Sequence, residues 1–346
     1  MKRSFMFICA AALLLTGCGA SADEASAQLF AMDTVMQLDA YGHQVKQAVS
    51  DAEETIQALE ARLSRTREDS LVSVLNQNGA AQDLSAAEQA LLSEALTFRD
   101  ATGGAFDITI APVMDAWGFT GASYRVPAQD ELDALLENVN SDEIRLSGSS
   151  VTLGAGQAID LGGIAKGYTS DCVEAVFREN KIESGKISLG GNVFVLGGKP
   201  DGADWRVGIR DPQDENALAA VLTLRDAYAI TSGGYERYFT ENGNTYHHII
   251  DPSTGYPADS GLLSVTVVAE ANGPDFSGPG NGTMCDAFST ALFVMGEERA
   301  LEFWQTGGYD FDLVLVTADG RVIITDGLSD RFEVVKDSGY TYETVS

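Results

Sequence analysis

Basic side chains are scarce in this chain. Its 346 residues carry 22 Lys and Arg against 51 Asp and Glu, a formal charge of −29. A field of that sign repels polyphosphate backbones and argues against nucleic acid as a partner. Any anionic small ligand would need a local positive device, such as a metal ion or a helix N-terminus. Cysteine is scarce too: Cys9, Cys18, Cys172 and Cys285 form no Cys-x-x-Cys pair, which leaves a zinc cluster or redox dithiol without support. Only 8 Pro and no repeat period exclude a collagen, a disordered tail and a solenoid, and a 45% hydrophobic share suits a sizeable globular core. Several catalytic signatures are also missing. Gly154-Ala155-Gly156 precedes an expected strand rather than a helix, so it lacks the dinucleotide-binding context. The segment Gly162–Gly167 has no Gly-Lys-Ser/Thr, and neither Gly-x-Ser-x-Gly at an elbow nor His-Glu-x-x-His occurs.

The first residues read as an export signal. Lys2 and Arg3 precede the apolar run Phe5–Leu15, which is too short to span a bilayer. The run ends in Leu15-Thr16-Gly17-Cys18, which resembles the bacterial lipobox, against the plainer reading of a signal peptide with an incidental cysteine. The expectation is a signal peptide over 1–17, lipidation at Cys18, a Ser- and Ala-rich tether over 18–28 and a domain over 29–346. The protein would sit on the extracytoplasmic face of the cell membrane, held by lipid. Removing Lys2 and Arg3 takes the charge to −31. Cys172 and Cys285 could pair in an oxidising compartment, but the burial habit of cysteine favours two buried thiols.

Along the rest of the chain, Val45, Val49, Ile56, Leu59 and Leu63 fall at helical spacing within 44–64. Ser85-Ala86-Ala87-Glu88 has the form of a capping box opening a helix to about Ala101. Residues 158–180 read as a short strand, a Gly-Gly turn and a helix carrying Ile164, Tyr168, Val173 and Phe177. Strands are expected over 186–196, 205–210, 219–224 and 262–269, and a hairpin over 312–325 around Ala318-Asp319-Gly320. A buried helix is expected over 286–295, and an exposed Gly- and Pro-rich loop over 272–282. Helices and strands mix without strict alternation, so the fold class is α+β: a single mixed domain, in one lobe or two, with its site in a cleft.

Seven polar, Gly-rich segments stand out in apolar surroundings, each able to bring backbone close to a ligand beside a short polar side chain. They are Met32-Asp33-Thr34, Gly103-Gly104-Ala105-Phe106-Asp107, Asp160-Leu161-Gly162-Gly163-Ile164-Ala165-Lys166-Gly167-Tyr168, Ser188-Leu189-Gly190-Gly191-Asn192, Thr231-Ser232-Gly233, His248-Ile249-Ile250-Asp251-Pro252-Ser253-Thr254-Gly255 and Cys285-Asp286-Ala287-Phe288-Ser289-Thr290. In this order, from about Met32 to Thr325, the set resembles the ApbE family of FAD:protein FMN transferases. A departure is the stretch 273–282, which is longer than usual in the family.

The resemblance implies Mg²⁺-assisted phosphoryl transfer from FAD to a Thr or Ser hydroxyl of an acceptor protein, with AMP leaving. Acceptors would be flavin-carrying subunits of membrane electron-transport complexes or related extracytoplasmic domains. It implies a metal held by Asp286, Thr290 and the backbone carbonyl of Gly163. Asp286 and Thr290 are four apart on an expected helix, so their oxygens share a face and suit a hard cation; the plainer reading is that Asp286 caps the helix. FAD would be met by Met32, Ala105, Phe106, Asp107, Asp160, Lys166, Thr231, Ser232, His248 and Ile250, where the plainer readings are core, cap and solvated helix positions. His248 is the motif histidine and a candidate general base, and a hydrogen-bonded structural histidine is its alternative. Rival readings of the whole are a lipid-anchored solute-binding protein and an electron carrier that keeps its FAD.

Overall fold

The computed structural model describes residues 23–121, 123–273 and 276–346. The expected leader and Cys18 lie outside them. The elements run β1 (Asp23–Ala31), β2 (Thr34–Gly42), α1 (Val45–Leu63), α2 (Leu71–Asn78), β3 (Ala80–Ala81), α3 (Ala86–Ala101), α4 (Ala111–Trp117), α5 (Gln129–Leu136), β4 (Arg145–Ser147), β5 (Ser150–Thr152) and α6 (Ala165–Glu179). Then come β6 (Ser184–Leu189), β7 (Asn192–Leu196), β8 (Trp205–Asp211), β9 (Asp214–Leu224), β10 (Ala227–Gly233), β11 (Tyr238–Glu241), β12 (Asn244–His247) and β13 (Leu262–Glu270). The chain closes with α7 (Asn281–Met295), α8 (Glu297–Thr306), β14 (Asp312–Thr317), β15 (Arg321–Thr325), β16 (Phe332–Val334) and β17 (Thr341–Val345).

Nine strands form one sheet in the order β1-β2-β6-β7-β10-β13-β14-β15-β17, antiparallel throughout except for β15 and β17. One face packs on α1, α3, α6 and α7 around Ile56, Phe98, Phe177 and Phe288. The other packs on the small sheet β16-β9-β8, where Val195, Val268 and Val316 meet Trp205, Ile209 and Leu222. A third cluster, Val113, Trp117, Phe119, Leu132 and Ile250, lies between α4, α5 and the β11–β12 hairpin. Helices segregated to one face of a largely antiparallel sheet are the α+β arrangement that the element pattern predicts.

Several local expectations hold for their stated reasons. In α1, Val45, Val49, Ile56 and Leu63 are buried, and in α6 so are Tyr168, Val173 and Phe177, with Ile164 just before it. The capping box is present: Ser85 Oγ accepts from the Glu88 N–H at 3.2 Å and Glu88 Oε2 accepts from the Ser85 N–H at 2.8 Å. Cys172 and Cys285 are both free thiols, Cys285 buried as expected and Cys172 only half-buried, and burial pushes both up.

Others are corrected. The single strand expected over 186–196 is two strands, because Gly190 and Gly191 take φ of +58° and +99° and close a two-residue hairpin. The strand expected from 158 into the Gly-Gly turn does not form: the Ile159 N–H donates to Asn76 Oδ1 and the Asp160 N–H to the Ile108 carbonyl, so these amides serve a loop instead of a ladder. Residues 23–28, assigned to a tether, belong to edge strand β1, whose Ala25, Ala27 and Leu29 pack toward the helix-side core. The loop expected over 272–282 is anchored at both ends and is not uniformly exposed. Asn272 is buried, and α7 starts at Asn281 rather than Asp286.

That earlier start has a visible cause on α6. The buried Asp171 carboxylate accepts from the N–H groups of Gly280, Gly282 and Thr283 at 2.8, 2.8 and 2.9 Å, and from Asn272 Nδ2 at 2.8 Å. Desolvation pushes Asp171 up, against the pull of these donors. It caps α7 from another helix, satisfying amides that would otherwise be orphaned. Two glycines let the helices meet, since a Cβ on Gly167 would lie 2.2 Å from the Gly282 carbonyl oxygen.

Candidate active site

On the helix side of the large sheet a cleft of about 360 Å³ opens. Its walls come from the β1–β2 tip, the end of α1, the segments around 105–107 and 160–166, the end of β10, residues 248–250 and α7. All the positions named for metal and flavin in the sequence line it: Met32, Ala105, Phe106, Asp107, Asp160, Gly163, Lys166, Thr231, Ser232, His248, Ile250, Asp286 and Thr290.

Asp286 lies in the second turn of α7, well past the Gly280 cap, so it does not cap the helix. It is 3% exposed. Oδ2 accepts the Gly167 N–H at 2.8 Å, while Oδ1 has no hydrogen-bond partner among the described residues. One turn on, Thr290 Oγ1 lies 3.2 Å from Ser232 Oγ, which also meets Ser289 Oγ at 2.8 Å. A Cβ on Gly163 would come within 3.4 Å of Thr290 Oγ1 and 3.3 Å of the Phe106 ring, so the Gly-Gly backbone sits against this hydroxyl. A carboxylate oxygen without a partner and a hydroxyl, with the Gly163 backbone beside them, are hard donors that suit Mg²⁺, which keeps waters and substrate oxygens for its other positions. Among the described residues no three His, Cys, Asp or Glu side chains converge on one point, so such a site relies on neutral oxygens beside Asp286.

The two adjacent histidines have opposite roles. His247 Nε2 meets the Ala258 carbonyl at 3.1 Å, its Nδ1 accepts the Ile249 N–H at 3.3 Å, and its ring packs edge-on against Phe293. Both of its nitrogens are used by the scaffold. His248 Nδ1 lies 3.2 Å from the Arg237 carbonyl. A carbonyl only accepts, so Nδ1 carries the proton and Nε2 keeps its lone pair. Desolvation, reinforced by the charges of Arg237 and Lys166, pushes the His248 imidazole down to about 3. It is a neutral acceptor at physiological pH.

The carboxylates differ in availability. Asp107 lines the cleft, but its oxygens accept from the Thr109 N–H at 2.8 Å, Thr109 Oγ1 at 2.6 Å and Ser141 Oγ at 2.5 Å, so it serves the scaffold as well. Asp160 is held by the Gly162 N–H at 2.6 Å and by Arg65 Nη1 at 2.8 Å. Arg65 escapes sequence reasoning. Its guanidinium, only 11% exposed, also meets Asp115 at 2.9 Å and Thr120 Oγ1 at 2.9 Å, tying the end of α1 to α4 and to the Gly-Gly segment. Arg237 escapes it as well. It lines the cleft beside His248 and pairs with Asp33 at 3.7 Å. In so acidic a chain, a cation next to an apolar or Gly-rich segment is the one local signal for either residue.

Holding Asp160 in place should be the main contribution of Arg65. Arg65→Gln is expected to weaken ligand binding in this cleft about tenfold with a smaller change in turnover, and Arg65→Lys to recover part of it, since lysine keeps the charge but loses the fork. Steady-state kinetics on the three proteins checks this.

A helix-backed sheet thus carries a cleft that combines two buried carboxylates, Asp107 and Asp286, with clustered hydroxyls, a neutral imidazole and three cations, Arg65, Lys166 and Arg237. The chain belongs to the ApbE family, whose model matches residues 32–313. It is 33% identical over 312 residues to the FAD:protein FMN transferase of Treponema pallidum (strain Nichols), covering 84% of this chain and 83% of that protein. The ApbE protein of Thermotoga maritima shares the fold with a TM-score of 0.80 at 30% identity, covering 89% of this chain and 99% of that one. Flavin transferase ApbE from Vibrio cholerae gives 0.73 at 25% identity, covering 92% and 98%.

Proposed function

We propose that this chain is a FAD:protein FMN transferase that moves FMN from FAD to a Thr or Ser hydroxyl of an acceptor protein and releases AMP. The names of its relatives support flavin transfer from FAD to a protein. The observation that carries the chemistry is the meeting of Asp286, Thr290 and Gly163 with the neutral His248 in one cleft.

Asp286, Thr290 and the Gly163 carbonyl would hold Mg²⁺, which when bound neutralises the pyrophosphate and stabilises the charge on the leaving phosphate. Lys166 and Arg237 bring positive charge to the same cleft, offsetting a protein field that otherwise repels FAD. His248 Nε2 takes the proton from the attacking hydroxyl while Nδ1–H stays on the Arg237 carbonyl, which fixes the ring. The hydroxyl oxygen bonds to the FMN-side phosphorus, the bond from that phosphorus to the bridging oxygen breaks, and AMP departs with that oxygen. Phe106 and Ala105 would give the flavin rings an apolar wall, and Asp160, whose oxygens also accept from Gly162 and Arg65, would accept a further hydrogen bond from a ring N–H. Incubation with FAD, Mg²⁺ and a soluble extracytoplasmic flavin-carrying domain tests this reading: AMP release with an FMN-sized mass gain on the domain supports it, and unchanged FAD refutes it.

The same reading places the enzyme on the extracytoplasmic face of the cell membrane, lipid-anchored at Cys18, where flavin-carrying subunits of electron-transport complexes present acceptors. Cys18→Ser should release the protein from membranes with flavin chemistry intact. Retention of that variant after a high-salt wash would refute the anchor.

A further inference from the structure

The elements behind Asp286 and Thr290 share a second, fully buried polar cluster that the flavin chemistry does not touch. α7 gives Asp286 and Thr290 to the cleft, while its first turn and Gly280 cap give the N–H groups of Gly280, Gly282 and Thr283 to the cluster. β10 gives Ser232, whose hydroxyl meets Thr290, and Tyr228, whose hydroxyl meets Glu174. α6 gives Lys166 to the cleft, the Gly167 N–H to Asp286, and both Asp171 and Glu174 to the cluster. Asn272 ties the parts together, its Nδ2 donating to Asp171 Oδ1 and Glu174 Oε2 at 2.8 Å and to the Tyr228 hydroxyl at 3.0 Å. Each element that faces the cleft here is therefore also fastened from behind.

The contact between α6 and α7 shows why that fastening matters. A Cβ on Gly282 would lie 2.7 Å from the Gly167 carbonyl oxygen, so at the crossing backbone meets backbone. No side chain there resists sliding or rotation, and the polar contacts on either side set the register. Gly167 and Asp171 supply them from one face of α6, one turn apart. Gly167 holds the Asp286 carboxylate in the second turn of α7, and Asp171 gathers the amides of the first.

We propose that Asp171 is the positioning residue of the metal face: it fixes the rotation and height of α7, so that Asp286 Oδ1 and Thr290 Oγ1 are presented beside the Gly163 backbone as one set of ligands. This rests on the metal site of the transferase reading. A consequence is cation selectivity. Mg²⁺ demands near-ideal octahedral geometry at short distances, whereas Ca²⁺ accepts more oxygens at longer and looser ones. A loosened α7 should therefore lose Mg²⁺ far more than Ca²⁺. A residue that only stabilises the fold would lower Tm and leave the ratio of the two affinities alone.

Asparagine cannot stand in for Asp171. Oδ1 accepts from the Gly282 N–H and Asn272 Nδ2, and Oδ2 from the Gly280 N–H, the Thr283 N–H and the Thr283 hydroxyl. Either orientation of an amide turns its NH₂ toward donors. The test is calorimetric titration of the full-length protein with Mg²⁺ and, separately, Ca²⁺, with FAD present and well below Tm. In Asp171→Asn the Mg²⁺ affinity should fall about tenfold or more, the cost typical of groups that orient metal ligands, and the Mg²⁺/Ca²⁺ ratio should fall with it. Thr283→Val keeps the side-chain shape and removes one donor, so its ratio should fall about threefold. That milder variant decides the matter if Asp171→Asn does not fold. Equal losses of both cations, or wild-type affinities for both, would overturn the positioning role. Asp286→Asn separates this from the metal site itself. Wild-type Mg²⁺ binding in that variant would remove the cation from α7 and overturn both readings. Loss of Mg²⁺ there, with an unchanged ratio in the Asp171 and Thr283 variants, would overturn the positioning role alone.

Discussion

Asp286→Asn should reduce FMN transfer by more than a hundredfold while leaving the fold nearly unchanged. The two functions of this carboxylate separate cleanly. Oδ2 accepts the Gly167 N–H and so joins α6 to α7, a task that an asparagine oxygen performs equally well. Oδ1 is the oxygen without a partner, and there asparagine offers an amide nitrogen that cannot bind a hard cation. Stability should move by less than about 1 kcal/mol, since the buried hydrogen bond survives. Asp286→Ala is the coarser change, because it also strands the Gly167 N–H and should cost about 1–3 kcal/mol on its own account. Calorimetry of Mg²⁺ binding in the presence of FAD should show the cation lost in the Asn variant. Wild-type turnover with wild-type Mg²⁺ dependence would move the metal away from α7.

The sequence exposes the parts of this site whose chemistry and geometry are local. Gly162-Gly163 announces a tight turn by its own composition, and the spacing of Asp286 and Thr290 states a helical face, whereas Gly190-Gly191 reads as the middle of one strand and closes a hairpin instead. Arg65 gives no such notice. Its importance comes from Asp160 and Asp115, which lie 95 and 50 residues away and meet it only in the folded chain. The start of α7 was hidden for the same reason. Its main cap is Asp171, more than a hundred residues upstream, and the local signal is only the Gly280 N–H reaching Thr283 Oγ1 at 3.4 Å. Strand β1 reads as a polar tether, and only its full-length register with β2, from Asp23 with Gly42 to Ala31 with Thr34, makes it a strand. Long-range pairing of charges and edges is the part of the fold that local pattern does not encode.

His248→Gln should lower transfer by about a hundredfold or more with FAD affinity little changed, because glutamine can fill the space but cannot accept the proton. His247→Gln is the contrasting case. Both nitrogens of that ring serve the scaffold, so it should lose stability while kcat per folded molecule holds. Burial lowers both imidazoles, His248 far enough to give it a wide acid window. Burial and the nearby cations push His248 down to about 3 from an ordinary 6.5. The unfolded chain therefore gains a proton as pH falls through 6.5, and the folded chain does not until about pH 3. Folding loses stability across that window, with a limiting slope of about 1.4 kcal/mol per pH unit. Between pH 7 and pH 4.5 this site alone should cost the wild type about 2 kcal/mol, and His248→Gln should escape that share of the acid loss. Urea unfolding of both proteins at the two pH values reads the difference directly. The same depressed titration leaves Nε2 unprotonated, though a weaker base than a free imidazole, through the neutral range, so kcat/KM for transfer should show no break near pH 6.5. A break there that disappears in His248→Gln would mean that the imidazole titrates normally in the working enzyme.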